Sequence, residues 1–288
     1  MGTWASGYAD TFREKWKRRG EDVRKAFKHH GIEQVDAGLV EDFLLQNWAD
    51  KLPTQRAMKG WLSKFFSWAV KRRHAPINPC REVEVKKPLG GSVYIPHDHF
   101  VAIRKALAIA VDGKKTPTGP EMQVFVDLCY LTCQRSIDIR LLRWSQVDER
   151  AGVIRFKPTK TEKSSGKAVD WPITPEIATV LRRAKTLSRA VKAQTLGDDF
   201  VIIGRNGKAK TAAACRDAWR DALDRAKLGE MDYLVKDIRA KALTDAKKAG
   251  NDIEALQVAG AHADRSTTEG YIKQREVPVS QVRLSLPA

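Results

Sequence analysis

Apolar residues recur at helical spacing through the first 75 positions. Phe12, Trp16, Val23 and Phe27 line one side of a charged stretch from Tyr8 to His30. Val40, Phe43, Leu44 and Trp48 follow Asp36, and a broad apolar face of Met58, Trp61, Leu62, Phe65, Phe66 and Ala69 follows Pro53. The pattern predicts three helices, the second capped by Asp36 and the third opened by Pro53. From Asn78 to Pro96 it breaks: NPCREVEVKKPLGGSVYIP has the proline, glycine and lysine content of a connecting segment.

Beyond it the periods are mixed. Helices are expected over 97–111 and 120–133, with a short one reaching Leu142. VIRFKP and KAVDWPI then read as a β-hairpin around the polar turn TKTEKSSG. A helix over 175–192 and a short strand, FVII at 200–203, follow. Further helices are expected over 211–227, 236–249, 252–259 and 267–273, and the VRLSL tail is a strand or a packing segment. The expected fold is mainly α with a small β component. A helical domain spans 1–88, a linker 89–96, and a mostly helical α+β domain 97–288.

Charge changes the picture most. The chain of 288 residues has a net charge of +17 and a pI near 9.8. Residues 1–95 hold 18 Lys or Arg against 11 Asp or Glu, so both halves share the excess and no charged tail accounts for it. Such a surface faces a polyanion, since binding releases counterions from nucleic acid. The basic cluster Lys71, Arg72, Arg73 at the end of the third helix is a candidate phosphate contact. No apolar run reaches the ~20 residues that span a bilayer. The N-terminus lacks the apolar core of a secretory signal, which makes the cytoplasm the expected compartment. Cys80, Cys129, Cys133 and Cys215 lack CxxC spacing and read as core thiols, not as a metal site.

Phosphodiester exchange without a metal needs fixed cations for the phosphate, a nucleophile that stores the bond, and an acid for the leaving oxygen. LTCQRSIDIRLLRWSQV offers Arg135 with Asp138 at i+3, so that the carboxylate can orient the guanidinium. The hairpin turn offers Lys160, Lys163 and Lys167. LVKDIRAKALTDA places Lys236 and Arg239 at i, i+3, and AGAHADRSTTEGYIKQ holds His262 and Tyr271. Singly these are weak signals. Their order is the strong one.

TCQR with Asp138 and LLRW, Lys160-Thr161 in the hairpin, Lys236-Asp-Ile-Arg239, and His262 followed through STTEGY to Tyr271 resemble the tyrosine recombinases, also called the phage integrase family. FFSWAVKRR and TEGYIK look closest to integrases of proteobacterial phages or genomic islands. The resemblance implies a helical, SAM-like core-binding domain before an α+β catalytic domain. It implies that Tyr271 forms a 3′-phosphotyrosine, that Arg135 and Arg239 clamp the scissile phosphate, and that Lys160 protonates the leaving 5′-oxygen. His262 would donate to a phosphate oxygen, and Asp138 would support Arg135. The implied partner is double-stranded DNA at attachment or core sites, bound by a homotetramer that is a monomer when free, with accessory bending or excision factors. Because the phosphotyrosine conserves the bond energy, neither ATP nor Mg²⁺ is needed in principle.

Three positions depart from the family pattern. Cys133 stands for a glycine, which implies an altered helix–helix approach. Ala261 stands for the glycine before His262, and Lys236 for histidine, which leaves the base that takes the Tyr271 proton open. Type IB topoisomerases share nearly the same residues and are the alternative. A DNA-binding regulator with an inactive site is another, although no catalytic position is lost. The segment after Tyr271 is a candidate for docking on a neighbouring protomer, and the chain leaves no room for an N-terminal arm-binding domain.

Overall fold

The computed structural model describes residues 10–88, 93–157, 168–192, 199–204, 206–262 and 264–273. The chain divides into two units, Met1–Gly90 and Gly91–Ala288. In the first, α1 (Asp10–Ala26), α2 (Ala37–Trp48) and α3 (Leu52–Lys71) form the three expected helices. Asp36 caps α2 by accepting from the Leu39 N–H, which satisfies a donor that the helix itself leaves unpaired. Met58, Leu62 and Ala69 of α3 are buried with Val40 and Leu44 of α2. The Asn78 amide ties the following turn to the Ser63 carbonyl and the Ser67 hydroxyl of α3. Cys80 and Val83, which lie in a stretch of linker-like composition, are thereby buried in this first core.

The second unit is built around α5 (Gly119–Leu131), an apolar helix covered by α4 (His97–Ala108) and α7 (Pro175–Lys192). Its buried Asp127 accepts from Arg104 and Arg183, so both oxygens of this carboxylate are paired. After α6 (Ser136–Arg140) come β1 (Val147–Asp148), β2 (Val153–Phe156) and β3 (Val169–Pro172), an antiparallel sheet in the order β1-β2-β3. Ile154 and Phe156 turn inward, while Arg155 pairs with Asp170 across the strands on the exposed face. The hairpin tip with Lys160, Lys163 and Lys167 lies outside the described residues, as does the tail after Lys273. The chain continues through α8 (Ala212–Arg225), α9 (Asp237–Lys248), α10 (Ile253–Ala259) and α11 (Arg265–Lys273). Among the described residues no helix is long and apolar enough to cross a membrane.

Two expectations need correction. FVII is not a strand: Phe200 bridges only to Arg143 and Ile203 only to Ala209, so no ladder forms. Its apolar run reflects burial of all four side chains. The helix from His97 stops at Ala108 instead of Val111, because Ile109 turns back to pair with Lys115, leaving Val111 exposed.

Four helices end in an unusual way. Arg73, Cys133, Lys227 and Ala261 all have positive φ, between 46° and 62°, and each lies two residues past the last residue of α3, α5, α8 or α10. That is the left-handed position where glycine ordinarily ends a helix. The Arg73 turn is closed by His74 N–H donating to the Ala69 carbonyl. The exposed cluster of Lys71, Arg72 and Arg73 also meets the negative end of the α3 dipole. At Ala261 the same turn is closed by His262 N–H donating to the Gln257 carbonyl at 3.0 Å. A left-handed L-residue costs roughly 1–2 kcal/mol, part of which glycine returns through its looser unfolded chain. Ala261→Gly is therefore expected to raise stability by about 1 kcal/mol, read as a higher melting temperature.

Candidate active site

The two departures from the family glycines flank the site. Cys133 and Ala261 are both left-handed helix stops, so what glycine offers at these positions is backbone freedom, not only a close helix approach. Each stop leads into a candidate site residue. Arg135 follows Cys133 and starts α6, where its carbonyl accepts from the Asp138 N–H. His262 follows Ala261 directly.

Arg239, in the first turn of α9, is 3% exposed and joins these two loops. Its Nη1 donates to the Cys133 carbonyl at 3.0 Å, and its Nη2 donates to the Gly260 carbonyl and to His262 Nε2. A guanidinium has five N–H donors. Three are used here, and Nε is buried with no hydrogen-bond partner among the described residues. Arg135 Nη1 is in the same position. Two cationic forks thus converge with donors still to give.

The electrostatics follow from the crowding. Burial, then the charge of Arg135, lowers Arg239 to about 10, still protonated at neutral pH. Burial, then Arg239 and Arg135, lowers His262 to about 3, so its imidazole is neutral. A histidine depressed in the folded state binds fewer protons there than in the unfolded chain. Its contribution to stability is complete above the ordinary value of 6.5, falls as pH drops below it, and is gone once pH passes the folded value. Acidification from pH 7 to 5 is expected to lower the unfolding free energy, with a limiting slope of about 1.4 kcal/mol per pH unit for this proton. His262→Gln should flatten that slope in denaturant titrations.

Tyr271 lies on α11, half-buried, with its ring stacked on the His262 imidazole at 5.5 Å and 6°. The Arg239 guanidinium carbon is 5.9 Å from its ring centre. Asp138 is buried one turn beyond Arg135, within electrostatic range of Arg239. Lys236 caps α9, is exposed, and lines a cleft of about 470 Å³ that Ser136 and Ile137 also border. Arg135, Arg239, His262, Tyr271 and Asp138 are therefore brought into one region of the second unit, whereas Lys236 lines a cleft that none of these five residues borders. Lys160 lies outside the described residues, and Lys71, Arg72 and Arg73 belong to the first unit.

Sequence reasoning missed several residues. Gln134, fully buried, donates to the Ala259 carbonyl at 2.7 Å and stitches the Arg135 loop to the His262 loop. A Cβ on Gly260 would lie 2.8 Å from the His262 ring, so only glycine lets the imidazole sit there. Thr268 meets His262 Nδ1 at 2.7 Å. The available signals were the Gly-Ala-His run and the paired threonines three and four positions before Tyr271.

Residues 97–276 match the model of the phage integrase family. A comparison with curated proteins found no match. Among solved structures, the chain is similar to a lambda integrase dimer bound to a COC′ core site, with 14% identity and a TM-score of 0.77, covering 98% of this chain and 95% of that one. A lambda integrase tetramer bound to a Holliday junction matches at 13% identity and 0.76, covering 97% and 76%. The XerH site-specific recombinase in a post-cleavage complex with palindromic difH substrate matches at 14% and 0.69, covering 90% and 75%. At these identities the likeness speaks for the fold.

Proposed function

The chain belongs to the phage integrase family, and from that premise we propose that it is a site-specific DNA recombinase working through a 3′-phosphotyrosine at Tyr271. The observation that carries this reading is the pair of buried guanidinium donors, Arg135 Nη1 and Arg239 Nε, without hydrogen-bond partners among the described residues, beside the stacked His262–Tyr271 pair. Two planar cations with donors to spare suit the non-bridging oxygens of a phosphodiester, whose charge grows in the transition state.

The Tyr271 oxygen attacks the phosphorus, the bond to the 5′-oxygen breaks, and a 3′-phosphotyrosine remains. Lys160, in the hairpin, gives a proton to the leaving 5′-oxygen. With Arg239 donating to His262 Nε2, the neutral imidazole braces the guanidinium, and a donation from Nε2 to phosphate requires that contact to open and the ring proton to move from Nδ1 to Nε2. Asp138 adds negative charge behind the two arginines and holds them in place. Lys236, at the exposed start of α9, gives the phosphate a further donor where the family has histidine. Lys71, Arg72 and Arg73 meet the DNA backbone from the first unit, and Lys163 and Lys167 from the hairpin. Reversing the step with a 5′-hydroxyl from a second duplex exchanges strands with no ATP, because the covalent link keeps the bond energy. Double-stranded DNA is thus the partner and the cytoplasm the place of action. Two duplexes need four cleavages, which calls for a tetramer on DNA assembled from free monomers, with accessory bending factors setting direction.

A plasmid carrying two copies of the recognised site tests the reading. Exchanged products, inversion or excision according to site orientation, are expected. Relaxation of supercoils with no joined products would instead favour a type IB topoisomerase.

A further inference from the structure

His262 has two ring nitrogens, and its surroundings dictate which carries the proton. A guanidinium can only donate, so Arg239 Nη2 against Nε2 makes Nε2 an acceptor. A neutral imidazole must then hold its proton on Nδ1, which faces the Thr268 hydroxyl oxygen at 2.7 Å. Thr268 is 0% exposed, so no solvent water competes for that proton. Its β-branched side chain also has few rotamers open to it in a helix. It sits on α11 three residues before Tyr271, so one helix carries both the nucleophile and the hydroxyl that faces the histidine. The ring has no slack elsewhere. Gly260 lies against one part of it, and the Tyr271 ring covers its face.

We propose that Thr268 is a positioning residue for strand cleavage: its hydroxyl accepts the Nδ1 proton of His262 and so secures, from the far side of the ring, the tautomer that Arg239 selects and the ring plane that keeps the Nε2 lone pair on Arg239. This rests on the recombinase reading of the site. Without the hydroxyl, the buried Nδ1–H loses its acceptor. The proton can then move to Nε2, where it opposes the Arg239 donor, and both the imidazole and the guanidinium shift from the phosphate. Removing the partner that orients a metal-bound histidine from behind typically costs about 10–100-fold in affinity or activity, and a loss of that order is expected here.

The test compares wild type with Thr268→Val, which keeps the shape without the hydroxyl, and Thr268→Ser, which keeps the hydroxyl without the methyl. Imidazole ¹⁵N shifts read the tautomer, and single-turnover cleavage of a nicked DNA site reads the chemistry. Wild type and Thr268→Ser are expected to show the Nδ1–H form. Thr268→Val should show Nε2–H or a mixture and cleave about 10–100-fold more slowly at saturating DNA, with unchanged DNA affinity. Rescue by serine separates the hydroxyl from packing. An unchanged ¹⁵N pattern in a folded Thr268→Val overturns the proposal whatever the activity, as does equal loss in both variants. If wild type forms no phosphotyrosine, the recombinase reading fails first and the catalytic meaning of Thr268 falls with it. The ¹⁵N pattern tells these two failures apart.

Discussion

Replacing Arg239 with lysine is expected to slow strand cleavage by about 10²–10³-fold at saturating DNA, the loss seen when one preorganised transition-state donor is removed. The charge stays, so the effect measures geometry. An arginine fork can hold the Cys133 carbonyl, the Gly260 carbonyl and His262 Nε2 together and still present Nε. An ammonium gathers its three donors on one atom and cannot bridge two loops while facing a phosphate. DNA affinity should change little, because most of it comes from charges spread over both units. A single-turnover rate with a separate binding titration checks this.

The second large effect is on stability. Lys241 is 0% exposed, with its ammonium 2.9 Å from Asp245 Oδ2 in an ion pair. Tyr94, Phe100 and Tyr130 ring the same ammonium at 5.2, 5.7 and 5.9 Å from their ring centres. Both tyrosine hydroxyls donate to Asp245. Burial alone would push that carboxyl up, but the bonds from Lys241, Tyr94 and Tyr130 hold it below the usual carboxylate range. Burial, then those bonds to Asp245, pushes Tyr94 up to about 12 and Tyr130 up as well. Breaking a buried ion pair from one side typically costs about 3–5 kcal/mol. Because Asp245 keeps two tyrosine donors, Lys241→Met is expected at the low end, about 3 kcal/mol. For a unit of this size that is roughly 6–12 °C in Tm. Lys241→Met with Asp245→Asn should recover part of the loss, since no lone carboxylate then remains. Thermal and denaturant unfolding check both.

Lys241 also shows where sequence reading stops. Two residues from Arg239, it looks like one more surface cation in a basic chain. What marks it as interior is a set of partners elsewhere in the chain, with Tyr94 and Tyr130 lying 151 and 115 positions from Asp245. No local pattern reports such contacts. The helices were legible because their apolar faces repeat, and the site's order was legible because arginine, histidine and tyrosine are rare in that arrangement. Arg239's grip on two carbonyls was not legible, since backbone acceptors carry no residue identity. Nor was FVII: four buried apolar residues in a row look alike in a strand and in a loop that crosses the core. The glycine positions filled by Cys133 and Ala261 were visible as departures. Their common cause, a left-handed helix stop before each candidate site loop, needed the backbone angles.

The proposed mechanism turns on one covalent bond. The direct measurement is mass spectrometry of the adduct trapped on a nicked duplex, its recognition sequence selected from a randomised pool. The expected result is a peptide containing Tyr271 joined to a DNA 3′-phosphate, a released strand with a 5′-hydroxyl, and no adduct from Tyr271→Phe. An adduct on another residue, a 5′-linked phosphate, or cleavage by Tyr271→Phe at the wild-type rate would contradict it.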